Sequence, residues 1–294
     1  MKKINYLELG GTLFIPATHK NLKAIVSGEK YQNLRSILVD TEDGISKESL
    51  TDSLEIIKNL LKEYKKKDLF VFIRPRNPEV LKELLAFENI ENIDGFILPK
   101  FSLLNAEEYL NLLKGTHFSI MPSIEGRELF NQAELHKLKD ILLTNADKIA
   151  LVRYGLEDML RQLSMRRSCE DSIFDFSATA SVLGTFIAIF KSAGFGVSGG
   201  VYPCFSDKEG FVKDVKRDMK EGLFSKTIIH PSQIDAVNEL YKVTQKEFDE
   251  ALEICRRSEA IFSQDTKMAE PITMRPYSQN IVLRAEIYGI KEEV

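Results

Sequence analysis

Two carboxylates, Glu125 and Asp158, come shortly after two successive apolar runs of the sequence. Neither has a histidine or a thiol beside it, and carboxylate oxygens without such partners are the hard ligands that Mg²⁺ or Mn²⁺ prefers. Such an ion keeps several waters and leaves positions for a substrate. The pattern predicts a divalent metal site at Glu125 and Asp158. The alternative is that the two acids cap helices or form salt bridges in loops.

Arg74 and Arg76 stand two residues apart at the end of another apolar run, so in an extended chain their side chains face the same way. A guanidinium pairs bidentately with a carboxylate, and either arginine could therefore hold an acid substrate beside the metal. The alternative is a structural ion pair with the acidic segment Asp40–Asp43, and it carries most weight for Arg76.

The remaining candidates are also charged. Asp40 and Asp43 are candidate catalytic acids, and Lys100 joins Arg74 and Arg76 as a candidate substrate-binding residue. For Lys100 a salt bridge is preferred over a role as nucleophile. The 4 histidines have no metal-ligand spacing, and His230 is interpreted as structural.

Short apolar runs that are typical of buried parallel strands recur along the chain. They are Gly11–Pro16, Ser36–Val39, Leu69–Ile73, Gly95–Leu98, Phe118–Met121, Ile149–Val152, Gly196–Tyr202 and Thr227–Ile229. The segments between them are long enough for helices, as at Asp52–Tyr64 and Phe176–Phe190. Such βα units close most economically into a (β/α)8 TIM barrel, an α/β fold. An open doubly wound sheet is the alternative.

In such a barrel the carboxyl ends of all the strands lie on one face, which we call the mouth. The candidate residues named above all follow predicted strands and would meet there. We expect the barrel to comprise residues 1–242. Residues 243–294 would form a C-terminal helix, with Thr244 and Glu247 as a capping box, and a tail that packs on the barrel or on a neighbouring subunit.

Composition limits the possible partners. The 294 residues are 44% hydrophobic and 29% charged with a net charge of -4, which gives no electrostatic reason to expect nucleic acid or membrane as a partner. The start of the chain does not have the pattern of a signal peptide. Cys169, Cys204 and Cys255 are odd in number and lack C-x-x-C spacing, so they are expected to be reduced, in a cytoplasmic protein.

Several motifs, in their order along about residues 9–260, resemble the citrate lyase beta-subunit-like (HpcH/HpaI) aldolases. They are LFIP (Leu13–Pro16), DTEDG (Asp40–Gly44), IRPRN (Ile73–Asn77), LPK (Leu98–Lys100), IEG (Ile124–Gly126), YGLEDM (Tyr154–Met159) and IHPSQI (Ile229–Ile234). The segment Gly194–Tyr202 and the C-terminal tail are similar to a narrower branch. That branch comprises C–C bond lyases of the TIM-barrel fold associated with tellurium-resistance and stress gene clusters.

The resemblance implies a Mg²⁺-dependent lyase that cleaves or forms a C–C bond next to a carbonyl through a metal-stabilised enolate. Glu125 and Asp158 would be the metal ligands, and Arg74 would hold the carboxylate of an oxo-acid substrate. The resemblance also implies a homo-oligomer, with a trimer favoured. Glu270, in the segment Met268–Pro271, would act on a proton at a neighbouring subunit's mouth; its alternative is a solvated acid in the tail.

Gly10 and Gly11 stand where acyl-CoA-using members of this family carry arginine and serine. This difference is expected to remove a positive charge from the mouth, which disfavours coenzyme A thioesters and favours a free oxo acid or a modified metabolite. Two other functions remain open. One is an acyl-condensing enzyme of the malate-synthase-like kind, and the other is a catalytically silent barrel that acts as a binding or scaffold subunit.

Overall fold

Seven parallel strands form the main sheet of the computed structural model, which describes residues 3–292. The strands are β1 (Gly11–Pro16), β2 (Ser36–Asp40), β3 (Phe70–Arg74), β4 (Gly95–Leu98), β5 (Ser119–Ile124), β6 (Arg153–Tyr154) and β7 (Lys226–Ile228). Their order across the sheet is β6-β5-β4-β3-β2-β1-β7. Six of the eight predicted strands overlap these strands, with ends that differ by up to three residues, and β6 begins directly after the predicted run Ile149–Val152.

The ring is closed by the segment between β6 and β7. Val197 forms a parallel bridge with Val152, and Gly199 forms one with Lys226. This segment supplies the eighth strand position and joins the two edges of the sheet. The closure confirms the predicted TIM barrel and excludes the open doubly wound sheet.

Helices alternate with the strands along the barrel. They are α1 (Leu22–Val26), α2 (Leu50–Glu63), α3 (Pro78–Leu85), α4 (Ala106–Leu112), α5 (Gln132–Leu143), α6 (Leu156–Gln162), α7 (Ser177–Ser192) and α8 (Lys208–Lys220). Local sequence fixes several of their starts. The Asn77 side chain accepts the N–H of Val80 at the start of α3, where Pro78 occupies the first turn.

The barrel interior is a layer of apolar side chains, one from most strands. The layer includes Leu38, Phe72, Ile97, Met121 and Leu151, with Phe14 packed against it. Side chains two residues further along a strand point to the same face. The next layer towards the mouth is therefore polar, with Asp40, Arg74, Ser123 and Arg153. The alternation of the strands thus places charged groups directly above an apolar floor.

The chain divides into two compact units between Ile234 and Asp235, eight residues before the boundary that the sequence suggested. The second unit contains most of α9 (Ile234–Tyr241), α10 (Gln245–Arg256), the antiparallel hairpin β8 (Phe262–Gln264) and β9 (Lys267–Ala269), and α11 (Pro271–Tyr288). Val243, Ala251 and Ile281 form its small core. The capping box of Thr244 and Glu247 is confirmed, and the predicted tail is a hairpin followed by a long helix.

The prediction that Cys169 and Cys204 are reduced was wrong for the structure, since the two residues form a disulfide with their Cα atoms 5.9 Å apart. Cys169 lies between α6 and α7, and Cys204 lies just after the seventh strand position; the barrel brings these two segments together. Cys255 is free. Among residues 3–292, the helices are too short or too polar to cross a membrane.

Candidate metal and substrate site

Glu125 follows β5 directly and lies in the mouth with 5% of its surface exposed. Its Oε2 atom is buried and has no hydrogen-bond partner among the described residues. The backbone of Gly155 passes so close that a Cβ there would lie 2.3 Å from the Glu125 Cγ. Only glycine fits at position 155 without displacing this carboxylate.

Burial raises the pKa of Glu125, against the opposing effects of a hydrogen bond from Ser123 and the charge of Arg74. The nearby charge of Asp158 also raises the pKa, so the two predicted metal ligands do lie in one electrostatic environment. Gln162 links the backbones of these two residues, because its Nε2 donates to the backbone oxygens of Glu125 at 2.7 Å and of Asp158 at 3.1 Å.

Asp158 lies in the first turn of α6 and accepts a hydrogen bond from the Nη2 of Arg161 at 2.6 Å. The Arg161 side chain is 71% exposed, and exposed ion pairs of this kind are weak. Within residues 3–292 no three His, Cys, Asp or Glu side chains converge into a metal site. A cation at Glu125 and Asp158 would therefore have two carboxylate ligands from these residues, and water or substrate would complete its shell.

Arg74, at the end of β3, forms a bidentate ion pair with Asp40 at the end of β2. Its Nε lies 2.6 Å from Asp40 Oδ1 and its Nη2 lies 2.7 Å from Asp40 Oδ2. The third nitrogen, Nη1, lies 3.3 Å from Glu42 Oε2. Burial lowers the pKa of Arg74, but these carboxylates outweigh burial and raise it above its usual value. The guanidinium is thus fully engaged with the loop after β2.

Glu42 links two cations, because its buried carboxylate contacts both Arg74 and the Nζ of Lys100. Burial raises the pKa of Glu42 to about 7, although Arg74 and Lys100 oppose this effect. Lys100 also lies 3.2 Å from Asp43 Oδ2, which agrees with the salt bridge preferred for it from the sequence. Glu42 was not among the predicted catalytic acids. Its spacing of two residues from Asp40 was the available signal.

Arg76 does not face the mouth in the same way as Arg74. Its Nη2 donates to the backbone oxygens of Glu42 at 2.9 Å and Ile45 at 3.0 Å. Arg76 therefore holds the loop after β2 through the backbone oxygens of that loop. This is the segment that the structural alternative named, but Arg76 binds its carbonyl groups and not its carboxylates.

Arg153, on β6, is a second arginine inside the barrel, and the sequence analysis did not single it out as a site residue. Its Nη2 donates to the hydroxyl of Thr227, and its Cζ lies 5.0 Å from the centre of the Phe14 ring. Arg74 approaches the same ring at 5.6 Å. Two cations thus contact one aromatic ring at the floor of the mouth. An arginine two residues after the inward Leu151 was the signal for it.

His230 has the structural role predicted for it. Its Nδ1 accepts the N–H of Ser232, and its ring stacks on Phe205 with centroids 4.7 Å apart. Gln233 Oε1 accepts the N–H groups of Ile229 and His230. The IHPSQI motif therefore folds the turn after β7. Glu270 is the N-cap residue directly before α11 in the second unit, and Thr273 Oγ1 donates to its carboxylate at 3.2 Å.

Gly10 and Gly11 lie at the amino end of β1, where the oxygen of Gly10 accepts the N–H of Lys226. The mouth is at the opposite end of the strand, beyond Pro16. At about 3.3 Å per residue the two ends are roughly 16–20 Å apart. The expectation that these glycines remove a charge from the mouth was therefore wrong, and their identity gives no reason to disfavour coenzyme A.

An open cleft of about 860 Å³ adjoins Asp158's helix. Glu157, Arg161 and Arg166 lie along it, together with the disulfide of Cys169 and Cys204. The cleft is large enough for a small organic substrate.

A sequence model of the family described as C–C bond lyases of the TIM-barrel fold matches residues 3–290. The citrate lyase subunit beta of Escherichia coli (strain K12) is 31% identical over 156 residues, which make up 50% of this chain and 49% of that protein. The chain thus matches about half the length of this relative. The citrate lyase subunit beta of Haemophilus influenzae is 26% identical over 304 aligned positions, with 96% of this chain and 98% of that protein covered.

Among solved structures, the protein CitE from Mycobacterium tuberculosis, in complex with magnesium, acetoacetate and coenzyme A, shares the fold. Its TM-score is 0.70 at 18% sequence identity, over 96% of this chain and 99% of that chain. At this level of identity the similarity shows the architecture of the chain.

Proposed function

Because the chain belongs to the family of C–C bond lyases of the TIM-barrel fold, we propose that it breaks a carbon–carbon bond in an oxo-acid substrate with a Mg²⁺ or Mn²⁺ ion at the mouth. The observation that carries the proposal is the buried Oε2 of Glu125, which lacks a hydrogen-bond donor. The substrate class rests on the relatives, which include citrate lyase subunits and a CitE protein in complex with magnesium and acetoacetate.

The residues at the mouth fit a divalent metal ion. A carboxylate oxygen without a donor is costly to keep buried and charged, and a cation would replace the missing donor. Two carboxylates, here Glu125 and Asp158, are a common protein contribution to a Mg²⁺ site, which is completed by water and substrate. When bound, the ion would polarise the carbonyl of the substrate and stabilise the negative charge that builds on its oxygen as the bond breaks.

The chain's own residues orient this site. Gln162, on α6, binds the backbone oxygen of Glu125, and the backbone of Gly155 packs against the Glu125 side chain. Together these two contacts restrict where the carboxylate can lie. We add Glu42 to the candidate catalytic acids Asp40 and Asp43. Its pKa is raised to about 7, and a carboxyl group with such a pKa exchanges protons efficiently at neutral pH.

Arg74, Arg76 and Lys100 are kept as proposed substrate-binding residues, under one condition. Arg74 and Lys100 already contact carboxylates, and Arg76 already contacts backbone oxygens. A substrate carboxylate would therefore have to share these cations with the loop after β2. Replacing Arg74 by lysine tests this role, because lysine keeps the charge and loses the bidentate fork.

Glu270 remains a proposed general acid or base at the mouth of a neighbouring subunit. The Glu270→Gln enzyme should bind metal and oxo acid normally and turn over roughly 10²–10⁴-fold more slowly, the usual contribution of such a group. Full-rate turnover by this variant would show that Glu270 is not a general acid or base and has only a structural role at the start of α11.

The proposed function is tested by incubating the protein with Mg²⁺ and a panel of hydroxy and oxo acids, and by following new products by proton NMR. Cleavage is expected with wild type and with Glu107→Gln, which changes an exposed glutamate of α4. Removal of the metal with EDTA, or the substitution Glu125→Gln, should abolish it. Cleavage that survives both treatments would contradict a metal-dependent lyase.

A further inference from the structure

Arg153 is a buried cation whose charge is not balanced by an ion pair among the described residues. Only 3% of its surface is exposed, and its Nη1 is buried with no hydrogen-bond partner. Thr227 is the acceptor for its Nη2. By contrast, the buried Arg167 binds Asp214 at 2.9 Å.

The two arginines that contact Phe14 therefore differ in what they can do. All three guanidinium nitrogens of Arg74 contact the carboxylates of Asp40 and Glu42. Arg153 keeps one nitrogen without an acceptor. Burial lowers the pKa of Arg153 to about 10, with a further contribution from the charge of Arg74, so the group still carries its charge at neutral pH.

A desolvated charge without a partner destabilises the folded protein, and such groups are concentrated at functional sites. The position of Arg153 agrees with this reasoning. It points inward above Leu151, in the polar layer that also holds Arg74, and the charge of Glu125 acts on its pKa. An anion that enters the mouth would thus find one guanidinium nitrogen, Nη1, without an acceptor.

We propose that Arg153 is an anion-binding residue of the mouth and receives a carboxylate of the substrate on its unpartnered Nη1. Arg74 holds the loop after β2 and can bind the substrate only by sharing its charge with Asp40 and Glu42. The inference rests on the proposed function for the class of substrate, an oxo acid. The free Nη1 and the missing ion pair are observations independent of that function.

The test is calorimetric titration of wild type, Arg153→Lys and Arg153→Met with pyruvate, oxaloacetate, 2-oxoglutarate and succinate, in Mg²⁺ and separately in EDTA. Lysine replaces the planar fork by a point charge, so Arg153→Lys should weaken binding roughly 10- to 100-fold, and Arg153→Met at least as much. Arg256→Lys is the matched control, because Arg256 is an exposed arginine at the end of α10, and it should bind like wild type.

Thermal melting separates a binding role from a structural one. Without ligand, Arg153→Met should melt at or above the wild-type temperature, since it removes an unpaired buried charge. A residue that only supports the fold would give a lower temperature. If Arg153→Met does not fold, the affinity of Arg153→Lys decides.

The outcomes also separate this inference from the proposed function. Arg153-dependent binding of oxo acids that is unchanged by EDTA would contradict the metal-dependent lyase and keep the anion site. Wild-type affinity in Arg153→Lys would overturn the anion site, whatever the metal does. Failure of wild type to bind any of the four acids in either buffer would overturn it as well.

Discussion

Arg74 and Asp40 form a bidentate ion pair that joins the carboxyl ends of β3 and β2 at 2.6 and 2.7 Å. The same carboxylate accepts the N–H groups of Glu42 at 3.0 Å and Gly44 at 2.7 Å. One carboxylate therefore closes the loop after β2 and joins it to the neighbouring strand. The geometry of the acids in this loop depends on that pair.

Breaking this pair should be costly. Asp40→Asn leaves the buried Arg74 opposite a neutral group, and removing one partner of a buried ion pair typically costs about 3–5 kcal/mol. Urea unfolding measures the loss. Glu63→Gln breaks the exposed pair of Lys23 and Glu63 and should leave the free energy of unfolding close to that of wild type. Equal losses in the two variants would mean that the Arg74 pair contributes no more than a surface contact.

Glu42 should make the stability of the protein depend on pH. Burial raises its pKa from 4.5 to about 7, so the folded state holds a proton that the unfolded state has released. The stabilisation is complete below about pH 4.5 and is lost as the pH rises through about 7. Relative to Glu42→Gln, wild type should lose up to about 3 kcal/mol over this range, at 1.36 kcal/mol per pKa unit.

Urea unfolding of wild type and Glu42→Gln at a series of pH values checks the sign as well as the size. The difference in free energy of unfolding between the two should fall with rising pH. A difference that stays constant or grows with pH would show that burial does not raise the pKa of Glu42.

The disulfide should stabilise the barrel. It closes a loop with a sequence separation of 35, and a loop of this length is worth about 3–4 kcal/mol in the chain-entropy account. Cys169→Ser combined with Cys204→Ser should lower the free energy of unfolding by this amount, while Cys255→Ser should have little effect. Without reductant only Cys255 should react with a thiol reagent in the unfolded protein. Reaction of all three cysteines would contradict the disulfide.

Much of the fold could be predicted because hydrophobic periodicity determines it. Continuous apolar runs such as Gly11–Pro16 and Gly95–Leu98 became strands with the predicted ends. The hairpin of β8 and β9 could not be predicted in the same way. It consists of three-residue strands with little buried surface, so it leaves almost no periodic signal.

The candidate site could be predicted in its location and less well in its pairings. The ends of parallel strands must meet at the mouth, which places Glu125, Asp158 and Arg74 there. Which carboxylate Arg74 contacts depends on side-chain rotamers and on the path of the loop after β2, and neither leaves a mark in the sequence. The pairing of Cys169 and Cys204 likewise follows from two loops that lie far apart along the chain.

The assignment of metal ligands, the oligomeric state and the cytoplasmic location stay predictions. Of these, the ligands matter most for function, because the proposed lyase chemistry depends on a metal ion at Glu125 and Asp158.

Binding of Mg²⁺ to Glu125 and Asp158 is tested most directly by thermal melts of wild type, Glu125→Gln, Asp158→Asn and the control Glu107→Gln, each with and without Mg²⁺. An ion that binds only the folded state adds roughly 2.7 kcal/mol at 100 times its dissociation constant. Wild type and Glu107→Gln should show this stabilisation, and Glu125→Gln and Asp158→Asn should lose most of it. Equal Mg²⁺-induced shifts in all four proteins would contradict the metal site.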